Sequence, residues 1–140
     1  MYTRHQQTQK AAYTEMEVLG ASPERLVPLL YEHLLVNLKR GAMQIRKGDA
    51  EGKFDSLGRA ADIVCELLAS LDFDAEGPLV GQLASLYRFW IQEIGAAGQS
   101  MDAPRIDRVA VMVGDLHEAW REALQTVEAK GLVAVDGLAS

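Results

Sequence analysis

The feature that most constrains this chain is a run in its last third, where apolar residues return every three or four positions at Ile106, Val109, Val113, Leu116, Trp120, Leu124 and Val127. Such spacing puts one apolar stripe on a helix and requires other helices to cover it. Three earlier runs repeat the requirement. In Ala21-Ser22-Pro23, Ser22 is suited to cap free backbone N–H groups and Pro23 is preset for the first helical position. Leu26, Leu30, Leu34, Leu38 and Ile45 follow at helical spacing up to Lys47-Gly48-Asp49, where Gly48 is a candidate left-handed cap. A second run takes Leu57, Ala60, Ala61, Val64, Leu67, Leu68 and Leu71, and stops at the turn-rich stretch from Asp72 to Pro78. A third takes Leu79, Leu83, Leu86, Trp90 and Ile94, with Gly95-Ala96-Ala97-Gly98 expected to break it. The fourth is expected to end near Gly131. Pro28 removes a hydrogen bond and crowds the carbonyl of Glu24, which predicts a kink or a delayed start in the first helix.

No segment alternates apolar and polar residues long enough to form a strand, and the connections are short. The fold class is therefore all-α, an antiparallel four-helix bundle with a mobile N-terminal arm. Helices of about 20 to 26 residues would be roughly 30 to 39 Å long, which suits up-down-up-down packing. The 140 residues are read as a single domain, with an arm over 1–21, a bundle over 22–130 and a C-terminal tail over 131–140.

Composition excludes several functions. The net charge of −6 opposes a sequence-independent grip on nucleic acid, which depends on Lys and Arg meeting phosphates. The one basic cluster, Lys39, Arg40, Arg46 and Lys47, falls in the last turns of a helix, where cations meet the negative end of its dipole. No apolar run approaches the ~20 residues that span a bilayer, and the polar start lacks a secretory signal, so no membrane insertion and a cytoplasmic location are expected. Cys65 is the only cysteine and is expected to be a buried, inert thiol.

Catalytic and metal chemistry find no footing. Asp72-x-Asp74-x-Glu76-Gly77 imitates half of a calcium loop, but the twelfth position, which must supply a carboxylate, is Leu83. Neither His33 nor His117 follows a Glu by three residues, as a di-metal bundle requires, and His5 lies in the arm. Gly95-Ala96-Ala97-Gly98 lacks the Lys-Ser/Thr ending of a phosphate loop. The chain is read as a non-enzyme without cofactor or metal.

What remains is apolar surface. Ile63, Val80, Tyr87, Ile91, Val111 and Met112 fall outside the narrow seams, so some of them should be partly exposed. Ordinary widening of the bundle core accounts for most of them, and the remainder would line a groove for an amphipathic partner helix. The alternative is a helical homo-oligomeric scaffold that uses the same positions against copies of itself.

The ordered landmarks resemble the FliS family of flagellin-specific export chaperones. They are Ala12-Tyr13 ahead of Ala21-Ser22-Pro23, then Leu29-Leu30-Tyr31, Lys47-Gly48-Asp49, Ala60-Ala61-Asp62-Ile63-Val64, Leu71-Asp72, Leu86-Tyr87 and Leu116-His117-Glu118-Ala119-Trp120. Glu32-His33 stands where that family commonly has Asp-Gly, and Pro28 interrupts a helix that is usually unbroken. The resemblance implies a cytoplasmic bundle that binds the C-terminal segment of flagellin, prevents its early polymerisation and keeps it competent for type III export, with export-gate components as further partners. It also implies a role for Tyr13 in recognition. Tyr13, Ile63, Tyr87, Ile91 and Met112 are the expected partner-binding residues.

Overall fold

The computed structural model describes the backbone of residues 23–139 and the side chains of 26–123 and 125. Tyr13, the rest of the expected arm, the Ser22 cap and the side chains of Leu124 and Val127 lie outside the described residues. Four helices account for nearly everything described: α1 (Pro23–Arg46), α2 (Ala50–Ala69), α3 (Leu79–Gln99) and α4 (Ala103–Ala139). Each packs on its chain neighbours, and α4 closes the ring on α1, giving the expected four-helix bundle.

Two of the three connections share one solution. At the end of α1, Gly48 takes φ +72° and the Asp49 N–H donates to the Gln44 carbonyl at 2.8 Å. Asp49 then caps α2, its carboxylate accepting from the Gly52 N–H at 2.9 Å. At the end of α3, Met101 takes φ +55° and the Asp102 N–H donates to the Ala97 carbonyl at 2.8 Å. Asp102 in turn accepts from the Arg105 N–H at 3.1 Å and starts α4. A left-handed residue thus ends one helix by satisfying its last carbonyls, and the following aspartate satisfies the first amides of the next.

The ends of α3 and α4 differ from the sequence reading, as does one effect expected of Pro28. α1 starts at Pro23 and runs on through Pro28, so its start is not delayed. The bond that Pro28 forgoes belongs to the Glu24 carbonyl in the first turn, where few other bonds depend on it. α3 continues through Gly95-Ala96-Ala97-Gly98 to Gln99, because Ala97 is fully buried and Gly98 lets α2 approach. A Cβ on Gly98 would sit 3.1 Å from Leu57 Cδ1, and the Gly98 carbonyl accepts from Lys53 Nζ at 2.9 Å. α4 passes Gly131 and reaches Ala139; a single glycine costs a helix only about 1 kcal/mol.

The core follows the stripes, with corrections. Leu26, Leu30, Leu34, Leu38, Ile45, Leu57, Val64, Leu67, Trp90, Ile94, Ile106, Val109 and Val113 are all buried. Leu79, expected in the third seam, is 59% exposed at the start of α3. Cys65, expected to be buried, is exposed; it lies one position beyond the buried Val64, on the outer flank of α2. At one end of the bundle Leu57 wedges between two glycines, since a Cβ on Gly41 of α1 would overlap Leu57 Cδ2.

Candidate partner-binding surface

At the centre of the core is an aromatic cluster joining three helices. Tyr31 of α1 and Tyr87 of α3 share a hydrogen bond between their hydroxyls at 2.6 Å. Trp90 meets Tyr31 edge-on at 6.3 Å between ring centroids and Tyr87 at 5.5 Å. His117 of α4 lies nearly parallel to the Tyr31 ring, with Nε2 3.6 Å from Glu32 Oε1. The departure at Glu32 therefore places a carboxylate on the α1–α4 seam. Burial pushes the pKa of both tyrosines up, and the bond to Tyr87 pushes that of Tyr31 further. Tyr87 is 1% exposed, which corrects the expectation that it lies on an open groove. The narrow third seam took Leu86 in its place, whereas the buried stripe runs through Leu83, Tyr87, Trp90 and Ile94, and Tyr31 supplies the partner its hydroxyl needs.

The other expected contacts are dispersed. Ile63, Ile91 and Met112 are all half-buried and pack against the core from outside. Ile63 lies two turns beyond Ser56, whose hydroxyl is 2.7 Å from the Gln44 side-chain amide group of α1, so it sits on the α1 side of α2. Ile91 lies two turns before Gly98, on the side of α3 that meets α2. Met112 lies two turns beyond Arg105, which grips Glu93 of α3 through Nε and Nη2, the latter at 2.8 Å, so it sits on the α4 side facing α3. The Arg105 bond also holds the Glu93 carboxyl below the usual carboxylate range.

Two apolar furrows therefore flank α3. In the α3–α4 furrow, Leu86 and Phe89 precede Glu93 by seven and four residues, while Met112 and Leu116 follow Arg105 by seven and eleven. Phe89 is 44% exposed and the other three are half-buried. In the α2–α3 furrow, Phe54, Ala61, Cys65 and Leu68 recur at helical spacing along α2 beside Ile91, and Phe54 is 62% exposed. Sequence reasoning missed Phe54 and Phe89; both stand next to charged residues, Lys53 and Arg88, and outside the core seams. Covering an aromatic side chain of this kind is worth about 1.5–3 kcal/mol when it passes fully out of water.

Nothing in this surface suggests catalysis. Among the described residues no group of His, Cys, Asp and Glu could hold a metal ion, and no helix is long and apolar enough to cross a membrane. Burial, and then the Asp62 charge, push the Cys65 thiol up, which disfavours the reactive thiolate.

The family model described as "Flagellar protein FliS" matches residues 5–127. This chain belongs to the FliS family. Its relatives include the flagellar secretion chaperone FliS of Campylobacter jejuni, 32% identical over 79% of this chain and 87% of that protein. Those of Salmonella typhimurium, 29% identical over 77% and 81%, and of Bacillus subtilis, 28% identical over 82% and 85%, bear the same name. FliS proteins are chaperones rather than enzymes, and the role the family supports is in flagellar export. The partner that this role implies is a secreted flagellar substrate.

Proposed function

We propose that this FliS protein works in the cytoplasm, where it binds the C-terminal segment of flagellin, prevents its premature polymerisation and holds it competent for type III export. The loaded complex then meets the export gate. The observation that supports this reading is the pair of apolar furrows beside α3 in a bundle whose core is otherwise closed. A disordered segment that folds on binding can lay an amphipathic helix into such a furrow, and the cost of ordering it keeps the complex releasable. Phe89, Ile91 and Met112 are the proposed principal contacts, with Tyr13 and Ile63 as outlying ones. Tyr87 acts from within the core by setting the position of α3.

The test is co-purification and calorimetric titration with full-length flagellin and with flagellin lacking its C-terminal segment. A one-to-one complex with the first and none with the second is expected. Equal binding to both, or a stable homodimer indifferent to flagellin, would overturn the proposal.

A further inference from the structure

Between α2 and α3, the chain presents an aromatic side chain on a turn held from within. The Asp72 carboxylate accepts from the Asp74 N–H at 3.0 Å, and the Asp72 carbonyl accepts from the Ala75 N–H at 3.1 Å. Phe73 and Asp74 are thereby placed at the tip of a turn closed by both backbone and side chain. Gly77, at φ +93°, lets the backbone turn back into α3. Below the turn, Leu71 is half-buried against the core, and the Ser70 hydroxyl donates to the Leu67 carbonyl at 2.7 Å. Phe73 is nevertheless 59% exposed, as is Leu79 at the start of α3.

The charges flanking Phe73 in the chain have a single sign. Asp72, Asp74 and Glu76 are all exposed, none of them joins an ion pair among the described residues, and no Lys or Arg occurs between Glu66 and Arg88. Three carboxylates without a cation repel one another, and they lower the local potential around a fixed apolar side chain. The surface complementary to that arrangement is an apolar pocket with a rim of Lys and Arg, because the rim charges steer the approach while burial of the ring supplies the hold. The turn joins α2 to α3 and so stands at one end of the bundle, where the furrow between those helices runs out.

We infer that the Phe73 turn is a docking knob for a second protein, distinct from the cargo, that offers an apolar pocket rimmed by basic side chains. Asp72 shapes the turn, Phe73 enters the pocket, and Asp74 and Glu76 meet its rim.

The test incorporates p-benzoylphenylalanine in place of Phe73, and separately in place of Phe89, in the full chain within flagellated cells. After illumination, adducts are mapped by mass spectrometry. From position 73 the expected adduct is a protein other than flagellin, joined at an apolar site beside Lys or Arg. It should persist in cells lacking flagellin and fall at least fivefold when Asp74→Lys and Glu76→Lys are added. With that protein purified, Phe73→Ala should weaken binding at least tenfold and leave affinity for the flagellin segment unchanged. No adduct from position 73, an adduct only with flagellin or a second copy of this chain, or an adduct insensitive to the charge reversals would overturn the inference. Position 89 reports on cargo separately, so failure of one reading is distinguishable from failure of the other.

Discussion

Replacing Tyr31 or Tyr87 by Phe removes one hydroxyl and strands the other in the core. The two hydroxyls lie 2.6 Å apart on residues that are 0% and 1% exposed, so water does not replace the lost partner. A buried hydroxyl left without a partner costs about 1–3 kcal/mol. Tyr31→Phe with Tyr87→Phe strands neither group and keeps the ring contacts with Trp90, so the double variant should lose less than the two single losses combined, by about 1–2 kcal/mol. Thermal and urea unfolding followed by circular dichroism measures this cycle, with each kcal/mol moving the midpoint by roughly 3–5 °C in a domain of this size. The pair also imposes a pH dependence. Unfolded tyrosines release protons above about pH 10, whereas burial makes the native pair hold theirs. The unfolded state then binds fewer protons, so stability falls as pH rises through that range. The double Phe variant should lose less stability there than the parent. Strictly additive single losses, together with an unchanged alkaline limb, would refute the view that the two hydroxyls act as one buried unit.

Three further outcomes follow from particular contacts. Gly41→Ala should destabilise by about 1–2 kcal/mol in urea melts despite its better helix propensity, because Leu57 is wedged between Gly41 and Gly98 and has nowhere to move. Met101→Gly should raise stability by about 0.5–1 kcal/mol, since glycine relieves the left-handed φ of +55° that ends α3 at some cost in unfolded-chain entropy. The bond to Arg105 holds the Glu93 pKa below the usual carboxylate range, so its contribution is present above the ordinary carboxylate range and is lost as pH falls through the native value; acid unfolding of Glu93→Gln should lack that component.

The helices were legible because their signals are local. Pro23, Gly48 and the stripe from Leu26 to Ile45 each depend on neighbours within a turn or two, and the four runs correspond to the four helices. Gly95-Ala96-Ala97-Gly98 misled because its local breaker signal is overridden by a distant contact, with Leu57 and Lys53 meeting Gly98 from α2. Tyr87 misled for a related reason: its partner, Tyr31, is 56 residues away in the chain. Excess apolar content pointed to half-covered helix faces, and it picked out Ile91 and Met112, which pack against the core from outside. It missed Phe54, Phe73 and Phe89, since an isolated aromatic among polar neighbours carries no period and becomes visible only once its helix face or turn is placed.

The most direct test of the proposed cargo surface is the affinity of Phe89→Glu for the flagellin C-terminal segment, measured by calorimetry beside the parent. Phe89 is 44% exposed in the free chain, so the charge should leave the fold and its melting temperature nearly unchanged, and only a complex that covers the side chain would desolvate it. The account predicts at least a tenfold weaker Kd, about 1.4 kcal/mol, at an unaltered midpoint of unfolding. Parental affinity in the folded variant would contradict it.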